Sequence, residues 1–214
     1  MKKFLTFCIL ILLCAYSFCA CSQNNIKHYT TVDSSDVALL SLFTFDGNSE
    51  SHFGLFNLGH AFLSVENISE DNLSIGKNTL SPRKTISIGT WSIKAHFGVW
   101  YNVESNYIKD FDKYNGRVSI TCGVSLEDIQ KINNFINSHD YWSPLNNCSN
   151  FALNLWNTIA TKEETLEKPL IYSPAKLAKA LKTFESFEVN RPIETEDKFH
   201  YFDGDTPKYF ELEK

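Results

Sequence analysis

Cysteine is scarce wherever it could serve folding. The 214-residue chain has six cysteines, but four of them (Cys8, Cys14, Cys19 and Cys21) fall within the first 21 residues. Only Cys122 and Cys148 remain, so no disulfide framework is available and the fold must rest on an apolar core. Neither belongs to a C-x-x-C pair, which argues against a structural zinc site built from both cysteines and two histidines. Basic runs are missing too. With 20 Lys and Arg against 25 Asp and Glu the chain carries a formal charge of −5, a poor basis for nucleic-acid binding. After Cys21 there is no second long apolar run, no internal repeat and no low-complexity tract.

What is present begins with an export-type leader. Lys2 and Lys3 form a charged start, and Phe4 to Phe18 form an apolar stretch too short to span a bilayer. The segment closes Phe18-Cys19-Ala20-Cys21-Ser22, where small residues before Cys21 resemble a bacterial lipobox with Phe18 in place of the usual aliphatic residue. Residues 1–21 are therefore expected to be a signal peptide of lipoprotein type, with Cys21 the lipidated residue and simple secretion the alternative. Without residues 1–20, which contain Lys2 and Lys3, the balance is 18 basic against 25 acidic, or −7. About 190 residues remain, the size of one domain with a substantial core.

Residues 22–36 are polar and read as a tether. Residues 37–185 form the domain and residues 186–214, charged and aromatic without periodicity, a C-terminal extension. Strands are expected at Val37–Phe45, from His60 to Glu66, at Leu73–Ile75, at Thr85–Ile88 with its period-2 alternation, at Gly98–Glu104 and at Arg117–Cys122. The second half is helical. Ser125 with Asp128 gives a capping-box start for Leu126, Ile129, Ile132 and Ile136 on one face. Asn146 or Asn147 can cap a helix carrying Phe151, Ala152, Leu155, Trp156 and Ile159, and Ser173-Pro174 opens a third that runs to about Phe184. The class is α+β.

Cys148 stands at the start of the second of these helices, in a polar junction rather than an apolar stripe. The positive end of a helix dipole favours thiolate there, and the Cys148 N–H can serve an oxyanion. The competing reading is a small buried hydrophobe, the usual fate of a free cysteine. His60 opens a strand after Gly59, a suitable place for a matching base, although a lone histidine is more often structural. His28, His52, His96, His139 and His200 are its competitors, with His139 in the loop leading to Cys148.

Asn147-Cys148-Ser149-Asn150-Phe151-Ala152 resembles the Asn-Cys-x-x-Phe signature of permuted papain-fold cysteine hydrolases, the NlpC-like and lecithin:retinol acyltransferase-like superfamily. Gly59-His60 before an apolar strand resembles their histidine motif, and the order, histidine strand first and cysteine helix second, is theirs. The likeness covers roughly residues 55–160. It implies an antiparallel sheet with helices packed on it and a Cys148–His60 dyad that cleaves an amide or ester carbonyl through a thioester, with no metal or organic cofactor. It implies a third residue on the strand after His60, and here the pattern departs from the superfamily's, because a long stretch precedes the next strand. Thr90 or Ser92 would serve if the Thr85–Trp91 strand is the neighbour, and His96 or Glu104 if the Gly98–Glu104 strand is. Trp91, Trp100 and Asn147 could line the substrate site, though core packing is the commoner use of such tryptophans.

The expected protein is an exported or membrane-anchored monomeric hydrolase of the cell envelope, acting on a cell-wall peptide. An acyltransferase or esterase on lipids is the alternative, and a non-catalytic surface lipoprotein binding wall or host ligands is the rival from another class.

Overall fold

The computed structural model describes residues 32–47, 59–168, 172–195 and 197–210. The leader, Cys21, His28, His52 and most of the expected tether lie outside the described residues. An antiparallel sheet of eight strands organises the rest: β1 (Ala38–Phe45), β2 (His60–Asn67), β5 (Thr85–Ile93), β6 (His96–Tyr101), β7 (Val118–Val124), β8 (Glu188–Val189), β9 (His200–Asp203) and β10 (Thr206–Tyr209). Their order is β10-β9-β6-β5-β2-β1-β7-β8, and β3 (Leu73–Ile75) with β4 (Asn78–Leu80) forms a separate hairpin. The helices are α1 (Val103–Phe111), α2 (Leu126–Ser138), α3 (Cys148–Ile159) and α4 (Pro174–Leu181). This is the expected α+β class, with a large antiparallel sheet and four helices among the described residues.

Alternation along the strands divides the core into two faces. On β2, Ala61, Leu63 and Val65 join Leu40 and Leu42 of β1 beneath Ile129, Ile132, Phe151, Leu155, Trp156 and Leu177 of α2 to α4. Phe62 points the other way and stacks on Phe43 at 4.9 Å, covered by Ile193 and Ile108. Because both faces are covered, β1 is buried almost along its whole length and is mostly apolar, with only Ser41 and Thr44 polar. Each fully buried Phe or Leu contributes about 1.5–3 kcal/mol.

Local signals fix the helix starts. Ser125 and Asp128 form a reciprocal capping box at α2, Asn147 accepts from the Asn150 N–H at α3, and Ser173 caps α4 with Pro174 in its first turn. Three expectations change. Leu126 is exposed, because the buried stripe of α2 starts at Ile129. Strand β6 stops at Tyr101, since Asn102 adopts a left-handed conformation (φ 62°) and turns the chain into α1. Within the expected C-terminal extension, β8 pairs with β7 at one edge of the sheet and β9 with β6 near the other, where no strands were expected.

Register positions the site. β1 pairs with β2 so that Phe45 faces His60, and β2 pairs with β5 so that Ser64 faces Ser87. Gly59 enters β2 with φ 75°, and a Cβ there would press on the Phe45 carbonyl and Pro174. Glycine is what allows His60 to begin the strand so close to β1 and α4. No helix among the described residues is long and apolar enough to cross a membrane.

Candidate active site

Glu104 is the centre of the polar arrangement, and the turn at Asn102 puts it there. Asn102 holds β5 with both backbone and side chain: its N–H donates to the Ser87 carbonyl at 2.9 Å, and its Oδ1 accepts from the Ser87 N–H at 3.1 Å. The first turn of α1 therefore starts directly above β5, with Glu104 fully buried at the end where the helix dipole favours negative charge. Gly89 lies beneath it, and a Cβ on Gly89 would collide with the Glu104 Oε1. Three donors satisfy the carboxylate: Ser87 Oγ at 3.0 Å, Trp91 Nε1 at 2.7 Å and His60 Nε2 at 2.9 Å. A buried carboxylate is tolerable only with such partners.

His60 is held on all sides. Trp91 lies against its ring at 4.3 Å, with Phe62 and Tyr114 stacked at 5.9 and 5.8 Å. Since Nε2 is committed to Glu104, Nδ1 is the nitrogen left for Cys148, the first residue of α3. Burial alone would lower the His60 pKa, but attraction and hydrogen bonding to Cys148, then to Glu104, outweigh it and raise it to about 9. Burial alone would also raise the Cys148 thiol. The His60 charge, its hydrogen bond and the Ala61 backbone amide reverse this and bring Cys148 below its ordinary value. The pair therefore favours thiolate and imidazolium together. Cys148 as a residue is half-buried, whereas Cys122 is buried.

The remaining expected site residues are placed elsewhere or differently. Thr90 points to the opposite face of β5 from Gly89 and Trp91, and its buried hydroxyl has no hydrogen-bond partner among the described residues. His96 pairs with Asp140 at 2.7 Å and stacks on Tyr201, so neither it nor Thr90 is the partner of His60. Trp100 is fully buried against Phe199, Tyr201 and Phe210 and donates to the His96 carbonyl, which makes it core rather than lining. Trp91 is half-buried and orients the Glu104–His60 pair. The Asn147 side chain caps α3 through its Oδ1 and donates one Nδ2 hydrogen to the Pro144 carbonyl, and Asn146 Nδ2 donates to the His139 and Tyr141 carbonyls. Both Asn146 Nδ2 donors are therefore engaged, while Asn147 Nδ2 keeps a second N–H, and the Cys148 N–H, in the first turn of α3, has no intrahelical acceptor. His139 stacks on Phe135 at the end of α2 and His200 bonds Asn78. Cys122 and Cys148 are both free thiols, and Cys122 is buried among apolar side chains with its pKa pushed up. Glu104, one of the four candidates for the third residue and expected at the end of a strand, is the one that binds His60, from the first turn of a helix.

The chain is thus an α+β protein whose sheet and two helix starts bring a cysteine, a histidine and a glutamate into one connected site. No family model and no curated protein matches its sequence. In structure it is similar to a type VI secretion system effector, TseH, over 70% of this chain and 90% of that one, at 13% identity and a TM-score of 0.41.

Proposed function

We propose that the protein is an exported, envelope-associated cysteine hydrolase of the permuted papain type, acting on an amide bond of a cell-wall peptide. One observation carries this reading: Glu104, fully buried and bonded to His60 Nε2 at 2.9 Å, holds the imidazole beside a cysteine at a helix start. A carboxylate buried at this cost beside a histidine and a thiol is an arrangement for activating a nucleophile.

The Cys148 thiolate attacks the carbonyl carbon, and the oxygen takes the electron pair while the Cys148 N–H stabilises it. Collapse breaks the C–N bond as imidazolium His60 gives its proton to the leaving amine. The thioester is then attacked by water, from which neutral His60 takes a proton, and the acid leaves as the thiolate re-forms. Glu104 orients the ring and steadies the imidazolium without accepting its proton.

A second reading, hydrolysis or transfer of a lipid acyl group, is favoured by the loop just before Cys148, where Tyr141 and Leu145 are 48% and 57% exposed. Such apolar side chains suit an acyl chain better than a polar peptide. The first test is alkylation of Cys148 by iodoacetamide across pH, wild type beside His60→Ala, followed by hydrolysis of wall peptides and of lipid esters. Fast labelling with an apparent pKa well below ~8.5, lost in the variant, is expected. Labelling at the rate of an ordinary thiol, or indifference to His60→Ala, defeats the reading.

A further inference from the structure

Three exposed apolar side chains gather beside the loop that leads into Cys148. Phe97 is 55% exposed, and its carbonyl accepts from the Trp142 N–H at 3.0 Å, which sets it against the loop carrying exposed Tyr141 and Leu145. This loop has a fixed backbone. The Asn146 N–H donates to the Ser143 carbonyl at 3.0 Å, and Asn146 Nδ2 holds the His139 and Tyr141 carbonyls. The three side chains are thus held out into water together, an arrangement that marks a contact surface.

A basic segment lies next to them. From Lys168 to Thr183 the sequence has four lysines and no acidic residue, in a chain of net charge −5. Lys176, Lys179 and Lys182 stay exposed along α4, while Leu177, Ala178 and Leu181 turn inward. Lys168, Lys176 and Lys179 line one concavity of about 500 Å³ with Tyr172 and with Glu167, its one carboxylate. Lys77, Lys131 and Arg191 are matched with carboxylates, whereas none of these four lysines forms an ion pair among the described residues. Asn150, two residues after Cys148, joins the two groups. Its Nδ2 donates to the Leu145 carbonyl at 2.9 Å, and its Oδ1 accepts from the Tyr172 N–H at 2.8 Å. The apolar loop and the start of the basic segment therefore flank the same first turn of α3.

We propose that this end of the molecule docks on the surface of an anionic phospholipid bilayer, with the lysines meeting the headgroups and Phe97, Tyr141 and Leu145 entering the boundary beneath them. Point charges on flexible stems, spread along a helix rather than converged on one spot, suit a field of anions better than a single compact one. The apolar members decide between a bilayer and a soluble acidic polymer, because only the bilayer offers depth for an aliphatic and two aromatic side chains. The contact is additional to any lipid at Cys21. It does not rest on the chemistry proposed for Cys148, although it turns the Cys148 end of the molecule toward the membrane.

The test is co-sedimentation of the full chain with phosphatidylcholine vesicles, with and without phosphatidylglycerol, at low salt. Wild type is compared with Lys176→Gln/Lys179→Gln/Lys182→Gln and with Leu145→Ser. The leader is common to all three chains, so differences among them report on this face. Phosphatidylglycerol should strengthen wild-type binding. The lysine variant should bind these vesicles about a hundredfold more weakly, and Leu145→Ser about fivefold more weakly. Iodoacetamide labelling of Cys148 in the absence of vesicles should be unchanged in the lysine variant. Binding that ignores phosphatidylglycerol or the lysine substitutions overturns the proposal. So does Leu145→Ser binding as wild type does, which leaves only lysines attracted to any polyanion.

Discussion

Glu104 has three donors and no solvent, and that combination makes its charge useful. With Nε2 of His60 bonded to the carboxylate, the tautomer is set and Nδ1 is directed to the sulfur. Glu104→Gln keeps the shape but removes the charge that helps hold His60 protonated. The variant should fold, show a higher apparent pKa for Cys148 alkylation, and lose activity by about 10²–10⁴-fold. An unchanged alkylation profile would mean the carboxylate is only structural. The raised His60 pKa also has a thermodynamic sign. Its folded value of about 9 lies above the ordinary 6.5, so its contribution to stability is fully present below about pH 6.5 and disappears as pH rises through about 9. Melting curves of wild type and His60→Gln should therefore converge between about pH 6.5 and about pH 10. A gap that stays constant over that range would show that His60 is not held as the cation.

Between elements, the decisive contact is that of α1 with β5. Gly89 is the open space into which the Glu104 carboxylate fits, and an added methyl there meets Oε1. Gly89→Ala should displace Glu104, cost about 1–3 kcal/mol as an overpacked site, and slow Cys148 alkylation at neutral pH, although the atoms nearest the added methyl belong to Glu104 and Trp91. Wild-type alkylation in that variant would place the carboxylate's role elsewhere. The same contact explains what could be read from the sequence. The starts of α2, α3 and α4 were legible because Ser125, Asn147 and Ser173 act on N–H groups only three residues away. Cys148 and His60 were legible because their type and order sit on recognisable elements. The third residue was legible only as one of four candidates, Thr90, Ser92, His96 and Glu104. β5 does run beside β2, and Trp91 does reach His60, but the strand residues nearest the imidazole offer a glycine and an indole. The bonding group comes from the helix above, by way of a left-handed Asn102 that no periodicity announces. Thr90 failed on parity alone, since its neighbours Gly89 and Trp91 hold the opposite face.

Across the whole molecule, the last strands close a circuit that the middle of the chain leaves open. β8 covers β7, and the backbone between them is fastened by the Asn190 N–H to the Arg117 carbonyl at 2.9 Å and by the Gly116 N–H to Asn190 Oδ1 at 2.8 Å. At the other side Phe199, Tyr201 and Phe210 enclose Trp100, and Val103 of α1 joins the same cluster. Trp100 immediately precedes the Tyr101–Asn102 turn that carries the chain to Glu104, so the tail supports the site from behind. An unpaired β6 or β7 edge would also invite association with other chains. If the tail is structural in this sense, Phe199→Ala should lower stability by about 3–5 kcal/mol, a large share of the 5–15 kcal/mol typical of a domain. Tyr209→Ala, at a side chain 60% exposed on the outer strand, should stay within about 0.5 kcal/mol of wild type. Urea denaturation of the two variants beside wild type separates the cases. Equal and small effects would make the tail an ornament of the sheet, whereas the expected contrast makes it part of the frame that holds Glu104 over β5.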